Sequence, residues 1–330
     1  MEKKKGAFRT SIGGQALIEG ILMRGPEKDA IVVRSPEGLV TKVTQRKFVK
    51  ANYPILGVPI LRGAVTFIGS MITGVKALMF SADYFPEDEN AKPDKLEEWL
   101  NKHVPAEKLQ SLLVGFSVVL SIGLMLVLFM LLPTFLAGLF HATTPALHNL
   151  IEGVVKILVL LAYMILCSRQ KDVYRVFCYH GAEHKTIFCY ESGLPLTVEN
   201  VRIQRRFHPR CGTSFMILMI LISIIFSSVI QLIFPGVYNL AWVWVIVKIL
   251  LIPIVCGAGF EVLRVCGRYD NLLTRIISAP GLWLQRITTK EPEDDMIEVA
   301  IAALKACEPA VPDVERPKEE ENNETDENAE

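Results

Sequence analysis

Two histidines and a glutamate stand within five residues in the run Tyr179-His180-Gly181-Ala182-Glu183-His184-Lys185. A helix is expected over 173–190. On a helix, residues four apart share a face, so His180 and His184 can share one metal ion, with Glu183 beside them. The order His-x-x-Glu-His is the inverted zinc-hydrolase motif, in which two histidines hold zinc and the glutamate takes a proton from the activated water. A second group follows in Arg206-Phe207-His208-Pro209-Arg210-Cys211-Gly212-Thr213, where His208 and Cys211 have the spacing of a metal knuckle, with a proline and a glycine to turn the backbone. All four residues together make a closed tetrahedral set, which is the structural kind of site. If only His208 or only Cys211 joins the pair, the fourth position stays open and Glu183 has a proton to move. A third reading needs no metal. The histidines, with Lys185, Arg202, Arg205, Arg206 and Arg210 around them, face anionic headgroups or acidic side chains.

Positioning these residues is a task for membrane helices. An apolar fraction of 51% and a mean hydropathy of +0.35 exceed what soluble globular chains carry. Lys plus Arg equals Asp plus Glu at 35 each, so no nucleic-acid partner is expected. Seven cysteines without paired spacing argue against a disulfide framework, and the basic start has no apolar core of the secretory kind. Apolar runs at 112–140, 150–167, 215–234 and 240–260 read as four spans, the last with Lys248 near its middle. The connections 138–149 and 235–239 contain no Lys or Arg, whereas 169–210 carries eight and 264–290 carries five. The positive-inside rule therefore puts the N-terminus, the central loop and the C-terminus in the cytoplasm.

The expected fold is an α-helical integral membrane protein, multi-pass in the bacterial inner membrane. It has four transmembrane helices, interfacial helices and a small β-containing N-terminal cytoplasmic unit. Residues 1–52 form that unit, with a hairpin around Ser35-Pro36-Glu37-Gly38. Residues 53–81 form an amphipathic helix, or a re-entrant pair in a six-span alternative, because only about a dozen uncharged residues separate Arg62 from Lys76. A charged linker with a short helix near 96–102 occupies 82–110. Spans one and two fall in 111–168, the cytoplasmic loop with the candidate site in 169–213, and spans three and four in 214–262. Interfacial and amphipathic helices fill 263–307, and an acidic disordered tail fills 308–330. Three further polar residues draw notice. Glu261 is either an ion-pair partner of Arg264 or a carboxylate ligand from a later helix. Glu19, with Gln15 nearby, needs a partner such as Arg24 or a metal. Lys248 is expected to snorkel toward the outer interface near Trp242 and Trp244.

The runs Ile12-Gly13-Gly14-Gln15-Ala16-Leu17-Ile18-Glu19-Gly20, His180-Gly181-Ala182-Glu183-His184-Lys185-Thr186, Leu196-Thr197-Val198-Glu199-Asn200, His208-Pro209-Arg210-Cys211-Gly212-Thr213 and Thr288-Thr289-Lys290-Glu291-Pro292 with Glu298-Val299-Ala300 resemble the bacterial YqhQ-like membrane family. The resemblance covers nearly the whole chain except the linker and the acidic tail. It implies a metal-dependent enzyme, a description resting on the same His-x-x-Glu-His pattern. The first functional expectation is a membrane hydrolase acting on a peptide or lipid at the cytoplasmic interface. Zinc or another divalent transition metal would be held by His180 and His184 with His208 or Cys211, and Glu183 would be the general base. The alternatives are a non-enzymatic assembly or scaffold protein with membrane-protein partners and a stapled cap, and an anionic-lipid binding protein. In every case the bilayer is a partner.

Overall fold

The N-terminal unit is a four-stranded antiparallel meander in sequence order: β1 (Gly13–Leu17), β2 (Gly20–Arg24), β3 (Lys28–Ser35) and β4 (Gly38–Gln45). The computed structural model describes residues 9–46, 57–85, 106–140, 144–236, 240–269 and 271–309. The expected hairpin is present, with Ser35 paired to Gly38 across the turn. Gly38 has φ +130°, a conformation open to glycine and strained for other residues. The turn between β1 and β2 instead holds Glu19 at φ +47°, in left-handed space uncommon for a residue with a side chain.

Because strand side chains alternate, β2 sends Ile21 and Met23 to one face of the sheet and Leu22 and Arg24 to the other. The first face packs on α5 (Lys171–Glu191) and α10 (Asp294–Cys307), burying Tyr179, Ala182, Ile187 and Tyr190 against Met296, Ile297, Ala300 and Leu304. Full burial of such a side chain contributes about 1.5–3 kcal/mol each, so this is the core of the cap. The other face meets α1 (Leu61–Ala82) through Leu17, Leu22 and Ala77. The C-terminal amphipathic helix is therefore a buried layer of the cap and not a surface segment.

The remaining helices are long and apolar. α2 (Ala106–Leu126) continues through a π-helical turn at Val127–Leu131 into α3 (Leu132–Leu139). Then follow α4 (Pro145–Cys167), the short α6 (Val198–Arg202), α7 (Gly212–Ile233), α8 (Ala241–Arg268) and α9 (Leu272–Thr288). Leu218 and Ile222 of α7 pack on Leu251 and Val255 of α8, and Leu160 of α4 meets Ile217 and Leu284. Among the described residues five helices, one more than the four expected, are long and apolar enough to cross a membrane, and the protein is a multi-pass membrane protein. The added one is α1, 22 residues long and with a mean hydropathy of 1.5 despite the charges of Arg62 and Lys76.

The contacts of α1 are specific. Gly63 lies against Gly257 and Phe260 of α8, Phe67 stacks on Phe215 at 5.2 Å, and Gly74 lies against Gln15 of β1. Its apolar stripe at Ile68, Met71, Ile72, Val75 and Met79 is exposed, while Arg62, Thr66, Thr73 and Lys76 turn toward a cavity under the sheet. The expected helix near 96–102 and the tail beyond 309 lie outside the described residues.

Candidate metal centre

α5 carries the inverted motif in its middle, and residues 178–190 of that helix are all buried. The burial is possible because the motif's small residues admit other backbone. Gly181 accepts the Lys290 carbonyl where a Cβ would collide with it. The Lys290 N–H bonds the Phe177 carbonyl at 2.9 Å, so 288–292 is strapped across α5. Cys211 arrives from the other direction as the N-cap of α7, its Sγ accepting from the Thr213 N–H at 3.4 Å. The approach of 206–211 is held by Gln285, which accepts from the His208 N–H and donates to the His208 carbonyl, both at 2.8 Å.

Three potential ligand atoms, from His180, His184 and Cys211, lie within 4.8 Å of one another. His180 Nε2 is 3.1 Å from Cys211 Sγ, and the two imidazole centroids are 4.4 Å apart. The far nitrogen of each ring is committed. His180 Nδ1 faces the Thr288 carbonyl at 2.8 Å and His184 Nδ1 faces the Arg206 carbonyl at 2.5 Å. A carbonyl only accepts, so both Nδ1 atoms carry hydrogen and both Nε2 atoms present lone pairs when neutral. This outer-shell pattern is how proteins fix metal-ligating histidines. The residues thus fit a divalent ion of the zinc type, with two nitrogens and one sulfur.

His208 stands apart from this trio. Its ring lies 5.6 Å from that of His184 and 4.7 Å from Phe188, and its Nδ1 accepts from the Arg210 N–H at 3.3 Å. Burial, reinforced by the charges of His184 and Arg210, pushes its pKa well below the usual value, so it is neutral. For Cys211, burial opposes the thiolate, but His180 and His184 outweigh it and pull the thiol well below its usual range. For His180, burial opposes charge and the Cys211 thiolate outweighs it, raising the pKa to about 9. Burial raises the Glu183 carboxyl above its usual range against the charges of His184 and His180. Gly14 of β1 lies directly against the Glu183 side chain and hydrogen-bonds it through the backbone.

Glu183 and the trio line one cavity of about 640 Å³, closed by β1 on one side and by Phe67, Phe215, Phe260 and Leu263 of the long helices on another. Gln15 also lines it. The other polar residues singled out by sequence are used elsewhere. Glu261 binds Arg62, at 2.6 and 2.7 Å to Nη2, and not Arg264. Glu19 is held by Arg175 and by the Tyr179 hydroxyl at 3.1 Å, and not by Arg24. Four cations of the central loop are paired with acidic side chains: Lys185 and Arg206 bind Glu291 at 2.5 and 2.9 Å, Arg202 binds Asp294 at 2.5 Å at the surface, and Arg210 binds Glu191.

Lys248 does not snorkel. Its Nζ lies 2.6 and 2.8 Å from the two oxygens of Glu152, which Lys156 also binds at 2.8 Å. Thr134, one residue past Pro133 at the start of α3, donates to the same carboxylate at 3.1 Å. Glu152 and Lys156 share the second apolar run, and their i,i+4 spacing is the signal that points to them.

A family model described as a protein of unknown function, DUF1385, matches residues 58–310. The chain is similar to the uncharacterized protein YqhQ of Bacillus subtilis (strain 168), with 38% identity over 307 residues, covering 88% of this chain and 90% of that protein. No solved structure matches the chain.

Proposed function

The chain belongs to the DUF1385 family, and from its site we propose a metal-dependent membrane hydrolase that cleaves a peptide or lipid bond at the cytoplasmic face. One observation carries this reading. Two histidines with committed Nδ1 atoms and one cysteine converge as three ligands, while Glu183 lines the same cavity outside the ligand set. Three protein ligands leave a position open, as catalytic zinc sites do and structural ones do not. A zinc-type ion bound there would polarise a carbonyl or phosphoryl oxygen and acidify water. Glu183, buried and with a raised pKa, accepts the proton from that water and returns it to the leaving group. The β1 backbone at Gly14 fixes the Glu183 carboxyl, and Phe67, Phe215 and Phe260 line the apolar side of the same cavity.

The test uses protein purified into proteoliposomes with a fluorogenic membrane-anchored peptide and a fluorogenic phospholipid. Wild type is expected to hold one metal per chain and to turn over one of these probes. Glu183→Gln is expected to keep the metal and lose turnover. Retained turnover in Glu183→Gln overturns the assignment.

A second reading is favoured by how many segments meet at the site. α5, the start of α7, Arg206 and Thr288 all contribute atoms, so an ion there would staple the cap to the long helices. For such a scaffold, His180→Ala lowers the melting temperature, and no hydrolysis is seen with any probe.

A further inference from the structure

A second cavity of about 610 Å³ lies between α1 and the sheet face that bears Leu22 and Arg24. Its wall carries Arg24, Lys42, Arg46, Arg62 and Lys76 with one carboxylate, Asp29. Arg62 is neutralised by Glu261. Asp29 is shared, with Arg24 Nε at 3.5 Å and Arg46 Nε at 3.6 Å, and the Arg24 contact lacks hydrogen-bond geometry. Lys42 rests 4.6 Å over the Phe80 ring, and neither it nor Lys76 has a carboxylate partner among the described residues. Among the described residues, Asp29 is thus the one carboxylate lining a cleft of ligand size that also carries Arg24, Lys42 and Lys76. The Arg46 guanidinium feels the excess: burial and the Arg24 charge hold its pKa below the usual value despite Asp29.

The other wall is apolar. Ile31, Val65 and Ile72 line the cleft, and Ile72 continues into the stripe of Ile68, Met71, Val75 and Met79, each more than half exposed. A ligand matching both walls carries a negative charge at one end and hydrocarbon at the other. Arginine forks pair with phosphate oxygens, and lysines add point charge. We propose that the cleft between α1 and β2–β4 binds the phosphate headgroup of an anionic phospholipid whose acyl chains lie along the exposed stripe of α1. A zwitterionic lipid brings its own cation into a cationic cleft and is disfavoured. The site needs no metal, although Arg24 and Arg46 line both cavities, so a bound headgroup borders the candidate catalytic cavity.

Native mass spectrometry of the full-length protein in detergent, titrated with phosphatidylglycerol or phosphatidylcholine of the same acyl chains, tests this. Wild type is expected to retain phosphatidylglycerol preferentially. Lys42→Glu/Lys76→Glu, altering two exposed residues, is expected to weaken that binding by roughly thirtyfold or more, at about a fivefold loss per cation. Lys42→Arg/Lys76→Arg is expected to retain the preference, and His184→Ala, which addresses only the metal centre, to leave it unchanged. Equal retention of both lipids by wild type overturns the proposal, as does a preference that survives the double charge reversal. Release of the lipid by equimolar inorganic phosphate also overturns it, since the cleft would then be a site for the free anion.

Discussion

His180 Nε2 and Cys211 Sγ stand 3.1 Å apart, although 31 residues separate them in the chain and they belong to different helices. The Nδ1 of the same imidazole is tied to the Thr288 carbonyl. The ring is thus oriented by one segment and engaged by another, and the site exists only when all three are packed.

This arrangement makes metal binding proton-linked. Because the His180 pKa is raised to about 9, an incoming ion displaces the His180 proton at neutral pH. Zinc affinity measured by chelator competition is expected to rise about tenfold per pH unit between pH 7 and pH 9, then level off. An affinity flat across that window would show that metal binding displaces no proton from His180.

Acid should loosen the cap through two carboxylates. Glu19 and Glu291 are both partly desolvated, which raises a carboxyl pKa. Arg175 outweighs this at Glu19, and Lys185 and Arg206 outweigh it at Glu291, so both folded values lie below the ordinary 4.5. A depressed folded pKa contributes stability that is full above the unfolded value and is lost as pH falls through the folded one. Thermal unfolding should therefore be insensitive to these two groups from pH 7 to about pH 5, and the melting temperature should fall below pH 4.5. Glu19→Gln/Glu291→Gln should lower stability at pH 7 and flatten the acid limb. An unchanged acid limb in the double variant would contradict the assignment.

Gly181 has no room for a side chain, because a Cβ there would overlap the Lys290 carbonyl. Gly181→Ala is expected to lift 288–292 off α5 at a cost of about 1–3 kcal/mol or more and to weaken metal binding by loosening the Thr288 contact. Melting temperature and metal content should fall together. A variant as stable as wild type would mean the strap is not packed as described.

Within the long helices, Glu152 balances Lys248 and Lys156. Glu152→Ala leaves two partly buried cations uncompensated, and the expected loss is up to about 3–5 kcal/mol, read as thermal unfolding in detergent. Replacing both partners, Glu152→Leu/Lys248→Met, should recover much of it, since an apolar pair needs no compensation. If the double variant is no better than the single one, the cluster has a role beyond holding α4 to α8.

Much of this architecture was legible in the chain because its signals are local. The apolar runs announced the long helices, the Pro36-Glu37 turn announced the β3–β4 hairpin, and the spacing of His180 and His184 placed both rings on one helix face. The fifth long apolar helix is harder to read, since Arg62 and Lys76 interrupt the apolar run of α1. The fate of its two stripes was also hidden, because which side faces a partner is settled by the sheet and α8, not by periodicity. Glu261 and Glu19 found partners 199 and 156 residues away, beyond the reach of any local pattern.

The sequence by itself determined the residue types able to bind a metal, four of the five long apolar helices and the acidic start of the last helix, because composition and periodicity act within a few turns. Only the tertiary structure decided that Cys211 meets His180 and His184 while His208 turns to Arg210, that Lys248 pairs with Glu152, and that basic residues from β2, from β4 and the residue after it, and from α1 surround a common cleft. Those outcomes depend on where segments far apart in the chain come to rest. Packing sets that, together with the cost of leaving a buried polar group without a partner.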